Sequence, residues 1–301
     1  MALPAVQVEY KTMDGITIRG VLFPTAVKAP AVIMTHGFNL MKEIVLPDIA
    51  RKYQDHGYNA LIYDSRSVGE SGGLPRNQVN PLLQSEDLSD ILTHVSSLPH
   101  VDSERIILWG MSVGATVSIC TAAVDRRVKA VVMVAPVLSF FQPEKMEKVF
   151  PQLIRDRESQ LRGNEAFTLP VFNSKAENAI GFAGSGGPGA MELHDFMDAY
   201  SERSAPGFRY RITLQTYHKL FTYRPKSLLD MVQAPTLLVV PELDTISSPD
   251  DQVEAFELIP GPKTLYMAKG KGHITILTGD QSEEILGVIT GFMDEVTGLE
   301  V

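Results

Sequence analysis

Apolar positions along the chain gather into short continuous runs, and the stretches between them carry apolar residues at helical spacing. Ala31-Val32-Ile33-Met34-Thr35, Ala60-Leu61-Ile62-Tyr63, Ile106-Ile107-Leu108-Trp109, Ala130-Val131-Val132-Met133-Val134 and Thr236-Leu237-Leu238-Val239-Val240 are such runs. A run without alternation predicts a strand covered on both faces. Leu46 to His56, stopped by Gly57, and Glu86 to Ser97 predict helices between them. Val6 to Tyr10 and Ile16 to Phe23, split by Met13-Asp14-Gly15, predict a hairpin at a sheet edge. After Val240 the pattern predicts a helix over Asp250 to Leu258, a strand over Lys263 to Met267 and a last helix over Ser282 to Val296. Strands alternating with helices at this spacing predict an α/β fold, a mostly parallel central sheet flanked by helices.

The alternation stops after Pro136 and resumes at Pro235. The interval is rich in Phe, Met and Tyr at helical spacing, with a glycine-rich break at Gly184-Ser185-Gly186-Gly187-Pro188-Gly189. A structureless loop of that length is improbable, and the aromatic content argues against disorder. The expectation is an inserted helical lid over 136–233 on a core formed by 1–135 and 234–301.

Bulk properties narrow the function. A chain of 301 residues with 44% hydrophobic content holds a substantial core, and a net charge of -9 disfavours nucleic acid or an anionic membrane as partner. The single cysteine, Cys120, makes no internal disulfide and reads as a packed small residue. Met1-Ala2-Leu3-Pro4-Ala5-Val6 lacks a basic segment followed by an apolar core, and no run reaches membrane-spanning length, so the default expectation is cytoplasmic. The histidines are scattered without paired ligand spacing, so neither a metal nor another cofactor is implied.

The chemistry centres on Gly110-Met111-Ser112-Val113-Gly114, a G-x-S-x-G sequence with a buried strand before it and a small-residue helix after it. That context makes Ser112 a nucleophile held on a strained turn, with the flanking glycines letting strand and helix pass closely. A serine hydroxyl needs a base, and the base needs an orienting group. His273 in Lys269-Gly270-Lys271-Gly272-His273 and Asp244 after the strand ending Val239-Val240-Pro241 supply them, both at the carboxyl ends of strands. Glu242, two residues before Asp244, is the competing acid. The oxyanion donors are expected to be the backbone N–H groups of Val113 and of Phe38, which follows His36-Gly37. His36 reads as a structural histidine, and Asp64 and Arg66 as a loop salt bridge bracing the neighbouring turns.

These features together resemble the α/β-hydrolase superfamily: His36-Gly37-Phe38, the Asp64-x-Arg66-x-x-Gly69-x-Ser71 loop, the elbow, then Asp244 and His273 in the order the superfamily uses. One departure is Ser67, where the superfamily loop often has glycine, and it bears on the local turn. Over nearly the full length, including Thr213-Leu214-Gln215-Thr216-Tyr217 and Tyr223-Arg224-Pro225, the chain is similar to fungal polyketide thiohydrolases and polyketide transferases. That resemblance implies a serine-dependent acyl-transfer enzyme that releases or transfers a polyketide chain from the acyl-carrier domain of a polyketide synthase. Water, an internal hydroxyl or another alcohol would be the acceptor. A carboxylesterase or lactonase on small esters, and a non-catalytic binding module on the same fold, are the competing readings. Phe140, Phe141, Phe196, Tyr217 and Phe221 are candidates for an apolar substrate wall or, equally, for the insertion's own core.

Overall fold

The structure, a computed structural model, describes residues 3–204 and 210–300; Met1, Ala2, Val301 and, within the expected insertion, 205–209 lie outside the described residues. The main sheet contains β1 (Val6–Lys11), β2 (Thr17–Phe23), β3 (Ala29–Thr35), β4 (Asn59–Tyr63), β5 (Val101–Met111), β6 (Ala130–Val134), β9 (Thr236–Pro241) and β10 (Lys263–Ala268). A separate antiparallel pair is made by β7 (Thr168–Pro170) and β8 (Arg211–Thr213). The main order is β1-β2-β4-β3-β5-β6-β9-β10, with β1/β2 and β2/β4 antiparallel and the remaining neighbours parallel. The helices are α1 (Leu46–Asp55), α2 (Pro81–Ser96), α3 (Val113–Val124), α4 (Pro143–Leu161), α5 (Pro188–Ser204), α6 (Gln215–Thr222), α7 (Pro249–Glu257), α8 (Thr275–Thr278) and α9 (Ser282–Thr297), with a 3-10 segment at Pro225–Met231.

The continuous apolar runs are explained by two cores, one on each face of the sheet. Ile33, Leu108, Met133 and Leu238 point to the face covered by α2 and α3, where Leu88, Ile91, Val117 and Cys120 meet them. Their chain neighbours Val32, Trp109, Val132 and Val239 point to the other face, against Leu46, Ile49 and Tyr53 of α1 and Ile285, Ile289 and Met293 of α9. Both members of each alternating pair are buried, so the strand sequence shows no polar face.

Chain order reverses between β3 and β5, and there the loops leaving their carboxyl ends face each other without a crossover helix between them. In an open parallel sheet this switch point is where ligand sites form. The loops after β9 and β10 open at the same edge.

The segment between β6 and β9 departs from an all-helical insertion, since β7 and β8 pair within it. Three-residue strands are too short for a periodic signal. Nor does the segment stand apart: Val149, Leu153, Phe172 and Ile180 share one apolar cluster with Leu88 and Val117, and the 3-10 segment packs on α3. The α2 helix begins at Pro81, five residues before its expected start, with the Asn80 side chain accepting from the Leu83 N–H. Asn followed by Pro was the start signal. Among the described residues, no helix is long and apolar enough to cross a membrane.

Candidate active site

Ser112 ends the β5 run and precedes α3 with φ 58° and ψ -124°, outside the ordinary regions for a residue with a Cβ. The turn is fixed by its backbone: the Ser112 N–H donates to the Val134 carbonyl at 2.9 Å, and its own carbonyl accepts from the Ala115 N–H at 3.1 Å. The two glycines have separate jobs. A Cβ on Gly110 would lie 2.3 Å from the Gly114 carbonyl oxygen, so it lets helix return over strand. A Cβ on Gly114 would lie 2.3 Å from the carbonyl oxygens of Thr35 and His36, so it lets α3 start against the end of β3. No side chain fits at either place.

Asp244 and His273 meet after β9 and β10. His273 Nδ1 is 2.8 Å from Asp244 Oδ2, and both side chains are buried. Asp244 Oδ1 accepts from the Ile246 N–H at 2.8 Å and the Ser247 N–H at 3.0 Å, while Oδ2 also accepts from Gln252 Nε2 at 3.1 Å. A carboxylate already accepting from three donors offers the imidazole only an acceptor, so Nδ1 is assigned as the N–H and, in that neutral tautomer, Nε2 carries the lone pair. Glu242 is exposed, and its carboxylate accepts from the Gly270 N–H at 2.8 Å, away from His273. Gln252 was not legible in the sequence, because a lone glutamine on α7 carries no pattern.

The loop after β3 reaches the elbow through Gly37, whose Cβ position lies 3.5 Å from the Ser112 Cβ. His36 Nδ1 accepts from the Gly37 N–H at 3.0 Å, and Nε2 donates to the Ile44 carbonyl at 2.7 Å, so the ring braces the loop as a neutral group. Burial pulls its pKa down from 6.5 to about 4. The folded state therefore keeps His36 neutral at pH values where the unfolded chain takes a proton. Its contribution is full above pH 6.5 and is lost as pH falls towards 4, by about 3 kcal/mol. Urea midpoints measured across that range should fall with a slope that His36→Gln flattens.

Asp64 and Arg66 are both paired, though with partners the sequence did not indicate. The Lys42 ammonium, 1% exposed, sits 2.8 Å from Asp64, 2.7 Å from Glu43 and 2.7 Å from Glu70. The three carboxylates are close enough to suit a metal ion, but a lysine nitrogen fills their centre. Arg66 pairs with Asp87 and Asp14. Ser67 takes φ 66°, the conformation a glycine would supply, and is held by its Oγ donating to the Gln78 carbonyl at 3.0 Å.

Residues 30–280 match the family model described as the alpha/beta hydrolase fold. The chain belongs to this family. Among its relatives it is 40% identical to a thiohydrolase of Eupenicillium brefeldianum over 93% of this chain and 91% of that protein. It is 38% identical to a polyketide transferase from a Penicillium species over 92% of each chain. Among solved structures, DcsB in complex with its substrate analogue matches with TM-score 0.93 and 57% identity, covering 98% of this chain and 99% of that one.

In this α/β hydrolase the aromatic residues of the insertion divide. Tyr217 has no exposed surface, and its hydroxyl receives a hydrogen bond from Asn178 Nδ2 at 3.1 Å. Phe140 stacks on Phe182 with centroids 6.1 Å apart, and Phe221 meets Phe141 edge-on at 5.3 Å. Tyr217, Phe140 and Phe221 are buried in the apolar cluster that the insertion shares with α2 and α3, whereas Phe141 and Phe196 are half-buried. Tyr217→Ala should accordingly act on stability, by about 3–5 kcal/mol as for other large aromatic truncations, and a denaturant titration would read it. An unchanged midpoint would return Tyr217 to the substrate wall.

Proposed function

We propose that the protein is a serine-dependent acyl-transfer enzyme acting on a polyketide chain carried as a thioester on an acyl-carrier domain. The observation that carries this reading is the buried Asp244–His273 pair opening at the same sheet edge as the strained Ser112 turn. The polyketide substrate is drawn from the names of the thiohydrolase and transferase relatives.

In the proposed reaction His273 Nε2 takes the Ser112 hydroxyl proton as Oγ attacks the thioester carbon. Charge develops on the carbonyl oxygen, and in this reading the N–H groups of Val113 and Phe38 receive it. The carbon–sulfur bond then breaks, and the imidazolium proton leaves with the thiolate as a thiol. Water or a hydroxyl of the bound chain next gives its proton to His273 Nε2 and attacks the acyl carbon, and the ester bond to Ser112 breaks as Oγ takes that proton back. Water yields the acid, and an internal hydroxyl yields a lactone. An internal group held near the acyl carbon outcompetes ~55 M water, since effective molarities of well-oriented groups reach about 10⁵ M or more.

The test is a hydroxyacyl N-acetylcysteamine thioester, with intact-protein mass spectrometry for an adduct on Ser112 and product analysis for acid or lactone. An adduct that forms and decays at the turnover rate supports the reading. Turnover of a short aryl ester with no reaction of any thioester would make the protein a small-ester hydrolase. No turnover of either would leave a binding module.

A further inference from the structure

An oxyanion donor works only if its N–H is held within a fraction of an ångström of the developing charge. The loop carrying Phe38 has features that oppose such rigidity, with Gly37 before it and Asn39 at φ 52° after it. The neighbouring Gly37 N–H is already given to His36 Nδ1, which leaves the oxyanion role proposed above to the Phe38 N–H. Two hydrogen bonds reach this loop from the start of β8, 172 residues away in the chain. The Tyr210 hydroxyl donates to the Phe38 carbonyl at 3.2 Å, and Asn39 Nδ2 donates to the Arg211 carbonyl at 2.8 Å. The Phe38 ring, 4% exposed, also packs on Phe182 of the insertion with centroids 4.6 Å apart.

The β8 end of this link is itself anchored. Arg211 Nη2 donates to the Thr168 carbonyl on β7 at 2.6 Å, and the Thr213 N–H donates to the Asn77 carbonyl of the core at 3.1 Å. Burial raises the Tyr210 hydroxyl well above its ordinary range, so it stays protonated and able to donate.

We propose that Tyr210 and Asn39 are positioning residues that fix the Phe38 N–H for the oxyanion, making the insertion part of the catalytic geometry. This rests on the acyl-serine reading above. The geometry also sets the direction of coupling: any movement of β8 away from the core loosens the donor loop. Chemistry then proceeds at full rate only with the insertion seated.

Tyr210→Phe removes one hydroxyl and keeps the ring. Asn39→Gly removes the amide and keeps the left-handed backbone accessible. Each is expected to lower kcat about tenfold, and the pair about 100-fold, with KM for the hydroxyacyl thioester within about twofold, as for a misplaced donor. The discriminating readout is an aryl trifluoromethyl ketone, whose hemiketal on Ser112 puts an oxyanion in the same place. Its affinity should fall by the same factor as kcat/KM in each variant, while thermal melting stays at the parent value. Rates within twofold of the parent, losses confined to KM, rate losses without matching loss of ketone affinity, or losses that track a lowered melting temperature would each overturn the proposal. Failure of the acyl-serine reading shows differently: the parent then forms no ketone adduct, and Ser112→Ala stays active.

Discussion

Ser112→Ala is expected to turn over the hydroxyacyl thioester on the order of 10⁶-fold more slowly than the parent, the scale seen when a catalytic serine is removed. The fold should be untouched. What holds the elbow is backbone, the Ser112 N–H to the Val134 carbonyl and the Ser112 carbonyl to the Ala115 N–H, and alanine keeps both. Alanine also carries the same Cβ at φ 58°, so the strain of the turn is unchanged. A residual rate of ~10³ over the uncatalysed reaction should survive if the proposed oxyanion donors, the Val113 and Phe38 N–H groups, stabilise attack by water. Single-turnover release within tenfold of the parent, with matched melting curves, would remove Ser112 from the mechanism.

Asp244→Asn should cost about 10⁴ in kcat, and Glu242→Gln less than twofold. The reason lies in the donors around Asp244. The Ile246 and Ser247 N–H groups demand an acceptor at Oδ1, so the asparagine NH₂ must lie where Oδ2 was. It then confronts His273 Nδ1, which can avoid a donor-to-donor contact only by shifting its proton to Nε2. A base protonated at Nε2 cannot accept from serine. Glutamine at 242, by contrast, still offers an oxygen to the Gly270 N–H and faces solvent. Comparing kcat for the two variants checks this, and the opposite ranking would give the orienting role to Glu242.

The sheet was legible because every central strand is covered on both faces, which turns burial directly into apolar runs such as Ala130 to Val134. The elbow was legible because its requirements fall on fixed positions of one short segment, Gly110 against the Gly114 carbonyl and Gly114 against the end of β3. Lys42, Gln252 and Tyr210 were not. Their roles rest on individual polar contacts that tertiary folding makes, Lys42 to Asp64, Gln252 to Asp244 and Tyr210 to Phe38, and such pairings leave no spacing to read. The insertion aromatics fall between these cases. Their apolar character predicted burial, but whether they bury against one another or line a cavity depends on tertiary packing that composition does not encode.

The glycine-rich break in the insertion lies against the loop that carries Asp244. A Cβ on Gly184 would stand 2.0 Å from the Thr245 carbonyl oxygen, and the Gly189 N–H donates to Thr245 Oγ1 at 2.8 Å. This contact sets the splice points for any attempt to trade acyl selectivity between relatives. A chimera joined inside 184–189 would import a foreign residue into a space that admits only hydrogen, and would disturb the acid along with the cargo. Junctions near Gly163, where a Cβ meets nothing within 4 Å, leave that seam intact and make the stretch from Pro143 to Leu161 the exchangeable cassette.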